Sequence, residues 1–170
     1  NPVEDFSENL FYVNSFSKIF SITGWRIGYL IAGRIHMSSI KSIHDYTGLC
    51  VPSVLQEALT EFIRDYNWGE YYVRYLREQI RTSFGLLKEA LEKLGFFIPE
   101  IEGGFFIWAR LPEKWEDGFQ FAMELYNKEQ VAVIPGEHFS PSKKNYIRFN
   151  IARDKEEINE AITRLNRFLS

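Results

Sequence analysis

The stretch "SFSKIFSITGWRIGY", residues 15–29, sets Lys18 directly behind two serines and eight residues ahead of Arg26. Phe16, Ile19, Phe20 and Ile22 flank the lysine, so the segment is expected to be partly buried. An amine in apolar surroundings is unfavourable unless it is paired or chemically used. Lysine suits Schiff-base chemistry with a carbonyl, because desolvation or a neighbouring cation makes a free amine easier to obtain. Ser15 and Ser17 offer hydroxyls in a tight turn, and Arg26 offers a planar guanidinium of the kind that grips phosphate. An aldehyde that carries a phosphate would use all four side chains.

Working outward, "LFYVNSFS" (residues 10–17) reads as a short buried strand that ends in a hydroxyl-rich turn, and "WRIGYLIAG" (residues 25–33) as a second strand. Only a loop carrying Lys18 is expected between them. Residues 35–47 read as a helix, and Pro52-Ser53 opens another that runs to Asp65. Apolar residues at 72, 73, 76, 80, 84, 87, 91 and 94 then recur at three- and four-residue intervals. That spacing predicts an amphipathic helix of more than twenty residues, stopped by Gly95.

Beyond Gly95 the texture changes. "FFIPEIEGGFFIWARLP" predicts a short strand, a Gly-Gly turn and an alternating strand; "GFQFAMELYNKEQ" is helical; "VAVIPG" and "YIRFNIAR" are strands. A C-terminal helix follows, capped by Asp154. The expected fold class is α/β, with alternating strands and helices in the second half. The expected organisation is a front piece at 1–68, a long connecting helix at 69–95 and a small α/β (α+β) domain at 96–170. The front piece is too small to close a sheet, so it is expected to self-associate or to be poorly ordered.

Composition narrows the function classes. Hydrophobic residues make up 45 % of the 170, enough for a real core. Twenty basic residues against 23 acidic ones give a net charge of −3, with no clustered basic face for a phosphate backbone, so no nucleic-acid partner is expected. One cysteine, Cys50, rules out an internal disulfide framework and fits a reducing, cytoplasmic setting. No apolar run approaches about 18 residues, so no membrane span is expected. His36, His44 and His138 lack metal-ligand spacing and are read as structural or surface residues, as is Cys50; no metal is expected. The chain opens "NPVEDFSENL" without an initiator methionine and reaches its most chemically loaded segment within 18 residues, which reads as a piece cut from a longer protein.

"SFSKIFSITGWRIGY" closely resembles the lysine segment of the class I/II aminotransferases, fold type I enzymes dependent on pyridoxal 5′-phosphate, with the pattern Ser-x-Ser-Lys-x-x-x-x-x-Gly-x-Arg-x-Gly. The resemblance implies that Lys18 forms a Schiff base with the cofactor aldehyde and then moves the substrate proton. It implies Ser15, Ser17 and Arg26 around the cofactor phosphate, with Gly24 and Gly28 giving room for close backbone approach. "VAVIPGEHFSPSKKNYIRFNIA" resembles the family's closing segment, where Pro135, Gly136 and Phe139 fall in place and Arg148 corresponds to the arginine that grips the substrate α-carboxylate. "EGGFFIWARLP" resembles a small-domain strand with a packing role. "YTGLCVPSVLQEAL" resembles the segment after the lysine strands, and residues near Thr47 reach a partner subunit's site in dimeric members.

The resemblance implies the C-terminal part of the fold type I large domain plus a small C-terminal domain, joined by a long helix. It covers only the second half of the family's chain. The upstream glycine-rich turn, the ring stacked on the cofactor and the aspartate that meets the pyridine nitrogen have no counterpart, and Asp5 does not fit that last role. The implied activity is transfer of an amino group between an amino acid and a 2-oxo acid by a parent homodimer, with this chain alone inactive or nearly so. A β-lyase or a decarboxylase of the family would keep the same lysine and arginines, and a third alternative is an aminotransferase-like ligand-sensing domain of a transcription regulator with an upstream DNA-binding module. A bare folding or interaction module is a fourth.

Overall fold

The computed structural model describes residues 9–170, so Asp5 and the opening segment lie outside the described residues. Backbone contacts divide the chain into two units, one reaching to Tyr75 and one spanning Leu76–Ser170.

In the first unit, β1 (Phe11–Ser15) pairs antiparallel with β2 (Gly28–Ala32), in a register that sets Ser15 opposite Gly28 and Asn14 opposite Tyr29. The connection is more than a loop. It holds a one-turn helix, α1 (Phe16–Ile19), and a 3-10 turn at Thr23–Trp25. Lys18 therefore sits on a helical turn, and Ser17 belongs to that turn rather than to the strand. Two longer helices follow: α2 (Arg34–Thr47), and α3 (Ser53–Asp65) with the bounds its proline predicts. Phe20, Ile27 and Leu59 form a small core, against which Phe16, Ile22, Phe62 and Tyr72 pack. Much apolar surface stays outside it. No residue of α2 is buried, and Val13 is 70 % and Tyr46 92 % exposed.

The helix α4 (Glu70–Lys93) ends just before Gly95, as its periodicity predicts. In the second unit, β3 (Phe106–Arg110), β4 (Ile134–Pro135) and β5 (Tyr146–Asn150) form an antiparallel sheet in the order β3-β5-β4. Between them lies α5 (Gly118–Glu129), and α6 (Lys155–Leu169) closes the chain. Asp154 caps α6 as expected, its side chain accepting from the Glu157 amide at 2.8 Å.

Strand alternation sorts the two faces of this sheet. Ile107 and Ala109 of β3 and Ile147 and Phe149 of β5 enter a core with Leu87, Leu91, Phe121, Leu125, Ile158 and Leu165 from the helices. Phe106, Trp108 and Arg148 take the opposite face by the same alternation. Two strand expectations shrink. "FFIP" supplies a single bridge, Phe97 to Arg110, and "VAVIPG" supplies only Ile134–Pro135, because Val131 and Val133 pack against the core without joining the ladder.

Candidate active site

The lysine turn is built by local hydrogen bonding. Ser15 has extended backbone, and its Oγ accepts from the Ser17 amide at 3.2 Å, so it caps α1. The Phe16 amide donates to the Ile27 carbonyl at 3.1 Å, and the Ser15 hydroxyl donates to the same carbonyl at 3.4 Å. These bonds fasten the start of the turn to the residue before β2. The Thr23 hydroxyl donates to the Ser17 carbonyl at 3.3 Å, which ties the two halves of the connection together.

Gly28 is needed for this closure. A Cβ there would stand 2.7 Å from the Asn14 carbonyl oxygen. Gly24 is different: a Cβ there would meet nothing within 4 Å, so none of the described residues demands glycine at that position. On the hairpin, Asn14 Nδ2 donates to the Tyr12 hydroxyl at 2.9 Å and the Tyr29 hydroxyl at 3.4 Å. The Tyr29 phenol is held above its ordinary pKa, first by its hydrogen bond with Tyr12 and then by burial.

Ser15, Ser17, Lys18 and Arg26 all lie on this connection. Ser17 is 7 % exposed, and its hydroxyl has no hydrogen-bond partner among the described residues. Lys18 is exposed. Arg26 occupies the left-handed region at φ 56°, and its Nη1 donates to the Thr23 carbonyl at 3.3 Å, leaving the rest of the guanidinium fork uncommitted among the described residues. The Ser17 hydroxyl, an incompletely used guanidinium and an amine make a donor set that fits a phosphorylated aldehyde, while the Ser15 proton is directed at the Ile27 carbonyl.

Arg148 lies in the second unit, at the centre of β5. Since β5 is the middle strand, Arg148 is no edge residue reaching for solvent; it pairs in register with Trp108 on one side and Ile134 on the other. Its Cζ lies 4.1 Å from the ring centroid of Phe106 and 4.4 Å from that of Phe139. Among the described residues no carboxylate pairs with it and no hydrogen bond occupies its N–H groups. The sequence marks Arg148 and the Pro135-Gly136-x-x-Phe139 run, but not the two rings against the guanidinium. The period-two pattern of β3 and β5 puts Phe106 and Arg148 on one face only once the strand register is known.

Thr47 donates to the Ile43 carbonyl at 2.9 Å, an ordinary bond within α2. His36 rests against Phe11 at 4.9 Å and His138 against Phe139 at 5.3 Å. Cys50 is an exposed free thiol. Among the described residues no cluster of three or more His, Cys, Asp or Glu could hold a metal ion, and no helix is long and apolar enough to cross a membrane.

The family described as aminotransferase class I and II matches residues 3–165. YugH of Bacillus subtilis is 33 % identical over 162 residues, covering 95 % of this chain and 41 % of its own. The aspartate aminotransferase of Thermotoga maritima is 31 % identical over 163 residues, covering 96 % and 40 %. Among solved structures, a Thermotoga maritima aspartate aminotransferase superposes with a TM-score of 0.81 at 30 % identity, over 98 % of this chain and 42 % of that one. A Methanococcus jannaschii protein, similar in its active site to kynurenine aminotransferases, gives 0.86 at 27 % identity, over 94 % and 42 %. The chain thus spans about two fifths of the length of the relatives it matches.

Proposed function

The chain belongs to the class I and II aminotransferases, and from that premise we propose that the protein carrying it moves an amino group between an amino acid and a 2-oxo acid with pyridoxal 5′-phosphate. When bound, the cofactor supplies an aldehyde that takes up the amino group and a ring that accepts the electron pair released at the substrate Cα. The observation that carries the reading is the joining of Lys18, Ser15, Ser17 and Arg26 on one hydrogen-bonded connection between β1 and β2.

Each residue has a distinct task. Arg26 and the Ser17 hydroxyl bind the cofactor phosphate, the guanidinium supplying charge-assisted donors, and Ser15 joins them by turning its hydroxyl from the Ile27 carbonyl. Lys18 Nζ would hold the cofactor through its aldehyde carbon and, as a free amine, would be the base that takes the proton from the substrate Cα. Arg148 receives the substrate α-carboxylate through its two-pronged N–H edge. A homodimer is part of the same proposal; what supports it is the exposed apolar surface of α2, the segment after it and the start of α3, including Tyr46, Leu49 and Val54.

The test is to load the protein carrying this chain with pyridoxal phosphate and offer a panel of amino acids with one 2-oxo acid acceptor. Matched formation of a new oxo acid and a new amino acid, without ammonia, is the expected result. Ammonia in step with the oxo acid would assign a lyase, and carbon dioxide a decarboxylase. Binding without turnover would point to a ligand sensor.

A further inference from the structure

The face of the β3-β5-β4 sheet opposite its core is where a polar or solvated row is ordinarily found. Here it carries Arg148 with Phe106 and Phe139 against it. Both rings are substantially exposed, Phe106 at 36 % and Phe139 at 47 %, so neither is explained as filler of the hydrophobic core. They also arrive from separate segments. Phe106 begins β3 and stands diagonally from Arg148 across the β3-β5 ladder. Phe139 follows the 3-10 turn Gly136–His138.

That turn is held in place sterically. A Cβ at Gly136 would strike the Lys143 carbonyl and lie 2.7 Å from Tyr146 Cβ, so only glycine lets the turn close on β5. Trp108 also meets Phe139 edge-on at 5.6 Å, a second aromatic contact on that ring.

We propose that Phe106 and Phe139 are positioning residues that hold the Arg148 guanidinium in one orientation for the substrate carboxylate. The proposal rests on the reading of Arg148 as the carboxylate-binding residue. A guanidinium offers two kinds of surface: a flat face that aromatic rings attract, and an N–H edge that hydrogen-bonds a carboxylate. Rings 4.1 and 4.4 Å from Cζ stand at cation–π distance, and no other group competes for the N–H edge among the described residues. The rings also restrict a long side chain before the ligand arrives, so less rotamer entropy is lost on binding. They screen the cation from water on their side, which strengthens its pull on an anion.

The experiment replaces each ring in the pyridoxal phosphate-loaded protein that carries this chain: Phe106→Leu, Phe139→Leu, the double variant, and the ring-retaining Phe106→Tyr and Phe139→Tyr, with Arg148→Gln alongside. Two quantities are read: the Kd of propionate, a carboxylate that cannot react, by calorimetry, and the split of KM from kcat for the amino acid substrate. The leucine variants are expected to raise both Kd and KM by about 2- to 30-fold, the range a cation–π contact spans. Cofactor content should stay at parent level, and the tyrosine variants should return to parent affinity. A purely structural role would lower the melting temperature without moving propionate affinity, and leucine variants that bind propionate like the parent overturn the proposal. Arg148→Gln separates the two levels. If it too leaves propionate binding unchanged, the carboxylate reading of Arg148 fails and this inference with it. If it abolishes binding while the leucine variants do not, only the positioning role fails.

Discussion

Arg167 of α6 donates from both Nε, at 2.8 Å, and Nη2 to one carboxylate oxygen of Glu129, the last residue of α5. An acidic side chain at a helix C-terminus faces the unfavourable end of the helix dipole, and Arg167 offsets it. Arg164 adds a second tie by donating to the Glu129 main-chain carbonyl at 2.9 Å, filling one of the acceptors the helix end leaves open. Two arginines of one helix thus secure the end of another in the second unit.

This pair sets an acid limb. The hydrogen bond from Arg167 holds the Glu129 carboxyl below its ordinary pKa. A group depressed in the folded state stabilises the fold above its unfolded pKa, about 4.3, and that contribution is lost as pH falls through the folded value. The melting-temperature gap between the parent and Glu129→Gln should therefore be constant from neutral pH down to about 5 and close below about 4.3. Thermal melts from pH 7 to pH 3 check it; a gap that stays open in acid contradicts it.

Gly28→Ala should damage the hairpin. The added Cβ would press on the Asn14 carbonyl oxygen at 2.7 Å, and backbone on backbone has no rotamer by which to escape. Overpacking of this kind costs about 1–3 kcal/mol. The matching change at Gly24, with open space around its Cβ, should be nearly silent. Urea unfolding of the two variants side by side decides the matter, and equal midpoints would refute the assigned strand register.

Arg26→Gly separates backbone from chemistry. At φ 56° a side chain carries a steric cost of about 1 kcal/mol that glycine avoids, so the variant should melt within a few degrees of the parent. The guanidinium is gone, however. Losing a charge-assisted hydrogen bond, worth about 1.5–3 kcal/mol, should weaken pyridoxal phosphate binding by about tenfold or more. Cofactor retention on a desalting column measures this. A stable variant that keeps its cofactor removes Arg26 from the phosphate site.

Where local chemistry governs, the sequence is a sufficient guide. Pro52-Ser53 opens α3, Asp154 caps α6, and the three-and-four spacing from Tyr72 to Leu94 makes α4, because each signal acts within one turn of the chain. The Lys18 turn is harder. "NSFSK" alternates like a strand, and the local Ser15 cap of the helical turn is joined by bonds that sequence does not show, from Phe16 and Ser15 to the Ile27 carbonyl far along the chain. "VAVIPG" misleads in the opposite sense, since Val131 and Val133 are apolar for packing rather than for pairing. Among candidate site residues, the lysine segment and Arg148 are legible as motifs. The rings against Arg148 are not, because sequence sets the face of each strand only relative to itself, and register is a tertiary property.

The most direct test of the central claim is chemical trapping at Lys18. The protein carrying this chain, incubated with pyridoxal phosphate and reduced with borohydride, is digested and mapped by mass spectrometry, with Lys18→Ala run in parallel. A reduced pyridoxyl group on Lys18 Nζ, absent from the variant along with the visible absorbance of the complex, is the predicted result. Label scattered over the other lysines, with Lys18→Ala unchanged in spectrum and yield, would contradict the assignment of Lys18 as the residue that holds the cofactor.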